Sequence, residues 1–349
     1  MKTEARQTPG FVILARGGYM PKVDWLSTPL FAKWYVTNRC NLRCSHCYLS
    51  NYENAAETAR MIKVAKAIGD AGIKYVAILG GEPLARTDLE TILATLSAHD
   101  VRIKIATNAT MLTAERAARL VRAGATTFQV SLEGHDSATS DAVRGAGTFA
   151  AARRGISHLT RLGAKVSIAF TLHARNYQYV RSMLQLARSS GASSARFAAF
   201  IPIGTGARQS HLQLNRAMCI AIAEQLLNID GEASIIDVDT GPFVQRIPFP
   251  SKADTAASSF GCGAGTTTLV INSDLTLSAC DMQTETERVA LTDFSASNLI
   301  AQWAKADLFN QWRGLSDTAR YAEVHQHGCH IAFGTYGENL FSGEASHAE

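Results

Sequence analysis

Three cysteines fall within eight residues, Cys40, Cys44 and Cys47, in the pattern C-x3-C-x2-C. Thiolates so spaced on one short loop can each take one iron of a cubane [4Fe–4S] cluster, which leaves the fourth iron open to another ligand. Zinc is an alternative, although a structural zinc site takes four protein ligands and this loop offers three close ones. A plainer reading is three cysteines buried in a core. The chain holds seven cysteines in 349 residues, an odd number unevenly spread, which points to metal ligation rather than a disulfide framework.

The elements that must position this loop can be read from periodicity. Strand patterns occupy residues 31–37, 74–79, 101–107, 126–132, 165–171 and 194–200, each rich in Val, Ile, Phe or Thr. Between them, apolar residues recur at helical spacing. Met61, Val64, Ala65, Ile68 and Ala71 share one face, as do Leu89, Ile92, Leu93 and Leu96 after a Thr87–Asp88 cap. Helical stretches at 114–124, 147–163 and 176–191 continue the alternation. Strands alternating with helices predict βαβ units and a parallel sheet. Six units are too few for a closed eight-stranded barrel, so the expected fold is α/β, a partial (β/α)6 TIM-like barrel with ligands at the carboxyl ends of its strands. The cysteine loop follows the first strand at that end.

Three other segments end strands on the same side: Gly80-Gly81-Glu82-Pro83, Thr107-Asn108-Ala109-Thr110, and Ser131-Leu132-Glu133-Gly134 with Arg144-Gly145 thirteen residues past the serine. Together with the cysteine loop they resemble the radical S-adenosylmethionine (radical SAM) superfamily over residues 30–205. The resemblance implies an enzyme whose [4Fe–4S] cluster is held by Cys40, Cys44 and Cys47 and whose open iron chelates SAM. One-electron reduction of SAM then yields a 5′-deoxyadenosyl radical that abstracts a substrate hydrogen. It further implies that the backbone at Gly80, Gly81 and Glu82 meets the SAM amino group, and that Ser131 and Arg144 meet its carboxylate or ribose. Asn108 belongs to the second of these segments; His46 stands where the family favours an aromatic residue near adenine, and Ile201, before Pro202, falls in the adenine region. The chain departs from the family in having Glu133 for the usual Asp and Ala109 for the usual Gly.

Beyond residue 205 the rhythm changes. A helix at 214–227 precedes an irregular stretch, 241–257; a β-hairpin at 267–271 and 276–279 and a helix around 299–312 follow. Cys219 lies among Met218, Ile220 and Ile222 and reads as core. Cys262 precedes the hairpin, Cys280 leaves it, and Cys329 sits among His325, His327 and His330. A cysteine, a hairpin and a second cysteine resemble the start of the SPASM or twitch extensions of radical SAM enzymes, which implies one auxiliary [4Fe–4S] cluster on Cys262, Cys280 and Cys329. A cluster-free lid, or a zinc site using the tail histidines, is the competing reading. The division expected is an N-terminal extension, 1–29, a radical SAM core, 30–205, and a small α+β SPASM/twitch-like domain with a polar tail, 206–349.

The net charge of +4, with both signs scattered, gives no reason to expect a nucleic-acid partner. The run Phe11–Ala15 is too short for a signal-peptide core and no stretch nears bilayer-spanning length, so neither membrane nor export is expected and a cytoplasmic location is. By resemblance the substrate is a peptide to be crosslinked, oxidised or decarboxylated, or a small molecule or tetrapyrrole side chain. The electron donor is of flavodoxin or ferredoxin type. Only 39 residues precede Cys40, so a fused leader-recognition domain is not expected, and a peptide substrate calls for a separate recognition protein or for the core itself. A non-catalytic iron–sulfur carrier would need the cysteines but not the other three segments. No acid–base residue can be named from the sequence; Glu133, Tyr336 and the tail histidines could reach the cavity or could equally be structural.

Overall fold

A computed structural model of the chain describes residues 25–53, 56–227, 237–239, 263–282 and 287–314. Six parallel strands carry the fold: β1 (Phe31–Thr37), β2 (Tyr75–Gly80), β3 (Arg102–Thr107), β4 (Ala125–Ser131), β5 (Lys165–Leu172) and β6 (Ser194–Ala199). They lie side by side in chain order. Between them run α1 (Thr58–Asp70), α2 (Leu89–Ser97), α3 (Ala114–Arg122), α4 (Ser137–Arg144), α5 (Thr148–Arg161) and α6 (Val180–Ser189), and α7 (Arg216–Leu227) follows β6. The helix α4 was not among the expected elements. Its signals are at its ends: Asp136 accepts from Thr139 N at 2.8 Å, and Gly145 stops the helix at φ 107°.

Period-two alternation explains how the sheet serves a site. Ala32, Trp34 and Val36 of β1, and Val166, Ile168 and Phe170 of β5, are buried with Met61, Val64 and Ile68 in one continuous core. The intervening residues, including Lys33, Lys104, Gln129, Ser167 and Arg196, are half-buried on the other face. That face is small or polar rather than filled with branched side chains.

The sheet continues at both edges. Strand β7 (Asp237–Asp239) lies parallel beside β6. At the opposite edge β8 (Thr268–Ile271) pairs in parallel with β1, Phe31 opposite Thr268, and β9 (Thr276–Ser278) and β10 (Val289–Ala290) add antiparallel. The expected hairpin is therefore built onto the same sheet that holds the cysteine loop.

The helix expected around 299–312 is two: α8 (Ala296–Lys305), capped by the Ser295 hydroxyl, and α9 (Asp307–Gly314). They break at Ala306, whose ψ is 134°. The break folds Phe309 onto Trp303, ring centroids 5.1 Å apart, and sends Arg313 back to the carbonyl of Trp303 at 2.7 Å. Trp303 Nε1 in turn donates to Leu26 O at 2.7 Å, tying α8 to the segment before β1. The irregular stretch 241–257, Cys262, Cys329, Tyr336 and the tail histidines lie outside the described residues. Among the described residues no helix is long and apolar enough to cross a membrane.

Candidate active site

The loop bearing Cys40, Cys44 and Cys47 leaves the carboxyl end of β1 and is held from three sides. Gly81 N donates to Thr37 O and Glu82 N to Arg39 O, both at 2.8 Å. Gly206 N donates to Cys47 O at 2.8 Å, and Ser45 N donates to Val143 O at 2.9 Å. A Cβ at Gly81 would overlap the carbonyl oxygens of Asn38 and Arg39, so only glycine permits this approach. The ammonium of SAM is a donor, so it would take carbonyl oxygens here rather than these committed N–H groups.

The donor set suits an iron–sulfur cluster. All three thiols are half-buried and free of disulfides. Burial pushes the Cys40 thiol up and the Cys44 thiol up to about 11. Without a cation the Cys40 and Cys44 sulfurs stay protonated at neutral pH, and a bound metal would favour their thiolates. Leu42 N (3.3 Å) and Asn108 Nδ2 (3.9 Å) point at Cys40 Sγ, the kind of donor that tunes a cluster sulfur. Among the described residues no three His, Cys, Asp or Glu side chains converge closely enough to hold one metal ion.

Glu82 locks the strand ends together. Its buried carboxylate accepts from Thr107 Oγ1 (2.6 Å), Leu84 N (3.0 Å) and Asn108 N (2.7 Å). Burial pushes its pKa up against the lowering effect of those three donors. The side chain is spent on positioning Asn108. Ala109, where the family usually has glycine, sits at φ 55° and is fully buried, with its N–H on Thr107 Oγ1 at 2.9 Å.

Glu133 is a second hub. Arg144 donates to Oε1 from Nε (3.1 Å) and from the guanidinium terminus (2.5 Å), and His46 Nε2 meets the same oxygen at 3.2 Å. Thr171 N holds Oε2 at 2.6 Å. Burial alone would push this carboxyl up, but Arg144 and His46 outweigh it and hold it down at about 2. Arg144 also lies near enough to Cys44 to favour its thiolate. With both oxygens occupied, Glu133 is not arranged as an acid or base. Arg144 is a buried ion-pair partner, not a surface one, with only 11% of its side chain exposed.

Sequence comparison accords with this geometry. Residues 34–187 match the radical SAM superfamily. The chain is 30% identical over 295 residues to mycofactocin maturase MftC of Mycobacterium ulcerans (strain Agy99), covering 82% of this chain and 78% of that protein. The chain belongs to the radical SAM superfamily. It is also similar to the pre-heme d1 synthase of Dinoroseobacter shibae, 28% identical over 218 residues, 60% of this chain and 54% of that one. In structure it resembles Streptococcus suis SuiB bound to the precursor peptide SuiA, with a TM-score of 0.73 at 18% identity over 92% of this chain and 76% of that chain. The fold is thus the partial barrel of radical SAM enzymes, and the family implies SAM and a [4Fe–4S] cluster.

Within that radical SAM framework the expected residues divide by what they touch. Cys40, Cys44 and Cys47 share one loop, with Asn108 at Cys40 and Arg144 beside Cys44. The Ser131 hydroxyl makes no hydrogen bond among the described residues and remains available to a ligand. His46 faces Glu133 through a polar edge rather than serving only as a stacking surface. Ile201 is buried, and its carbonyl accepts from Ile203 N at 2.9 Å.

Cys280 lies at the exit of β9, where Met282 N points at its sulfur at 3.4 Å. Four neighbours went unnoticed in the sequence. Tyr48 OH meets Tyr35 OH at 2.9 Å, Tyr35 OH reaches Asp281 Oδ2 at 3.4 Å, and Lys33 Nζ holds that oxygen at 2.9 Å. This chain of contacts joins the residue after Cys47 to the residue after Cys280. Adjacency to cysteine was the available signal. His173, buried after β5, was also missed, and nothing in its sequence context marks it.

Proposed function

We propose that this radical SAM enzyme modifies a peptide, and that Cys40, Cys44 and Cys47 hold its cluster while Ser131, Arg144, His46, Asn108 and the Gly80–Glu82 turn surround SAM. When bound, the reduced cluster would supply one electron to the sulfonium of SAM, whose C–S bond would break to leave methionine and a carbon radical able to take a hydrogen from substrate. The chain's own part is to hold the loop dry and rigid, to set Asn108 on Cys40 through Glu82, and to fix Arg144 and His46 through Glu133.

The observation that carries the peptide reading is coverage. The maturase relative aligns over 82% of this chain and the peptide-bound SuiB over 92%, so both extend past residue 205, where substrate-specific parts are expected. Pre-heme d1 synthase aligns over 60%, which keeps a tetrapyrrole substrate as the second reading. An auxiliary [4Fe–4S] cluster on Cys262, Cys280 and Cys329, an SPASM/twitch-like extension, a flavodoxin or ferredoxin donor and a separate recognition protein belong to the same proposal.

The test is anaerobic turnover of the reconstituted, dithionite-reduced enzyme with SAM, following 5′-deoxyadenosine. Short peptides encoded beside the gene should stimulate its formation and change in mass. Stimulation by iron-coproporphyrin alone would overturn the peptide assignment, and no SAM cleavage at all would overturn the cofactor site.

A further inference from the structure

The first half of the cysteine loop turns its side chains alternately outward and inward. Arg39, Asn41 and Arg43 are exposed, while Cys40, Leu42 and Cys44 are half-buried. Arg43 is fixed in place. Its Nη1 donates to Cys40 O at 2.8 Å and to Leu42 O at 2.9 Å, and its guanidinium lies 4.2 Å from the centre of the Tyr52 ring. That guanidinium meets no carboxylate among the described residues. The surface runs on from this row to α5. Asn41 Nδ2 donates to Thr110 Oγ1 at 2.8 Å, and the next residue, Met111, is 39% exposed. On either side of that pair, Ala109 and Leu112 pack against Gly155, where a Cβ would come within 2.7 Å of Ala109 O. Arg154, beside this glycine, is exposed. A soft, adaptable methionine therefore stands between arginines of the cysteine loop and an arginine of α5.

The balance of +4 conceals an uneven distribution. Residues 111–191 hold 11 Lys and Arg against 4 Asp and Glu, a net +7 in a chain whose total is +4, so the remainder is net −3. Three of those arginines are paired, Arg116 and Arg119 with Glu90 and Arg144 with Glu133. Arg122, Arg153, Arg154, Arg161 and Arg181 stand exposed on α3, α5 and α6. Of the four acids, Glu133 is buried and Asp141 accepts from Gly147 N, Thr148 Oγ1 and Phe149 N, which leaves Glu115 and Asp136 toward the surface. A field of one sign over several helices raises the encounter rate of an oppositely charged protein, and charges at the contact fix how it docks. The proposed chemistry requires such an encounter, because every electron used on SAM comes from outside the chain. The row Arg39–Asn41–Arg43 backs the cluster ligands directly.

We infer that the face formed by Arg39, Arg43, Met111 and Arg154 docks an acidic one-electron carrier protein, steered there by the arginines of α3, α5 and α6. One electron leaves the carrier and enters the cluster, and no proton or group is transferred. The inference rests on the reading of Cys40, Cys44 and Cys47 as cluster ligands.

The test is calorimetric binding of an oxidised plant-type [2Fe–2S] ferredoxin to the reconstituted enzyme. It is paired with 5′-deoxyadenosine formation driven either by enzymatically reduced ferredoxin or by dithionite. Wild-type affinity and the ferredoxin-driven rate should both fall severalfold between ~50 and ~300 mM salt. Arg39→Glu and Arg154→Glu should each weaken binding about tenfold and flatten that salt dependence. Lys165→Glu makes the same charge change at the opposite end of β5 from the site, and should weaken binding less than about threefold. Arg154→Glu should keep the dithionite-driven rate within about twofold of wild type, since a small reductant needs no docking face. Melting temperature and iron content identify folded, loaded variants. Such variants binding ferredoxin as the wild type does, a Lys165→Glu effect as large as that of Arg154→Glu, or no wild-type binding at all would each overturn the inference. So would a dithionite-driven rate that falls in Arg154→Glu, which would give this face to substrate. Displacement of ferredoxin by an unrelated single-stranded RNA at ~150 mM salt would give it to nucleic acid instead. If the wild type forms no 5′-deoxyadenosine even with dithionite, the SAM-site reading fails, and the calorimetry still judges the docking face on its own.

Discussion

The carboxylate of Glu133 and the guanidinium of Arg144 meet through two hydrogen bonds while remaining almost wholly out of water, with side-chain exposures of 1% and 11%. A pair this buried gains little over an apolar substitute, but removing one partner strands the other charge. It also sets position. Arg144 closes α4 beside Cys44, and Glu133 lies two residues past β4, so the pair clamps that helix onto the end of the strand that carries Ser131.

Glu133→Gln should therefore destabilise the chain by about 3 kcal/mol or more, because the Arg144 charge stays buried without its counter-charge. Urea unfolding measures this. Arg144→Met should cost less than Arg144→Ala, since it retains apolar bulk, while both weaken S-adenosylhomocysteine binding.

Acid should act in two stages, and the signs can be worked out group by group. His173 is held down at about 4 in the fold and titrates near ~6.5 when unfolded, so the unfolded chain binds the proton first and stability falls as pH drops from ~6.5 toward 4. Glu133, held down at about 2, contributes stability that is present above its unfolded pKa of ~4.3 and is lost as pH falls toward 2. Denaturant midpoints across pH should show the upper stage removed in His173→Gln and the lower stage reduced in Glu133→Gln.

Asn108→Ala should shift the cluster to a more negative potential. It deletes the Nδ2 donor 3.9 Å from Cys40 Sγ, and fewer hydrogen bonds to sulfur disfavour the reduced, more negative cluster. The Leu42 N donor at 3.3 Å remains, so the cluster should still assemble. An EPR-monitored redox titration reads the shift, and an unchanged potential would remove Asn108 from this role.

The core strands were legible because each is a short run rich in Val, Ile, Phe or Thr, with Ala32, Trp34 and Val36, or Val166, Ile168 and Phe170, buried at every second position. The cysteine loop was legible because its ligands are neighbours in sequence. What escaped depends on partners far apart along the chain. Tyr35 and Asp281 meet across 246 residues, and β8 reaches β1 from more than two hundred residues away. Glu133 could be named, but its hub role could not, because His46 and Thr171 come from other elements.

Gly81→Ala should abolish cluster assembly rather than merely weaken the fold. Its Cβ would meet Asn38 O and Arg39 O, backbone atoms that cannot turn aside, and would force apart the two hydrogen bonds that hold the cysteine loop to β2. Overpacking of this kind costs about 1–3 kcal/mol. Iron content should fall further than melting temperature suggests, whereas Gly72→Ala, with nothing near its Cβ, should keep its iron.

Cys280 decides whether the second half of the chain is electronic or only structural. Its sulfur lies at the exit of β9, next to Asp281, and the Tyr35–Tyr48 contact leads from there to Cys47. If an auxiliary cluster exists, a Cys40/Cys44/Cys47→Ala triple variant should retain about four irons per chain after reconstitution, and adding Cys280→Ala should remove them. If the triple variant binds none while the wild type binds about four, Cys280 is a structural thiol. The Tyr35–Tyr48–Asp281 contacts would then be a brace between loop and hairpin. Tyr35→Phe separates the two cases further. As a brace it should lower melting temperature and leave iron content alone, because it removes hydrogen bonds that are buried and hold no metal.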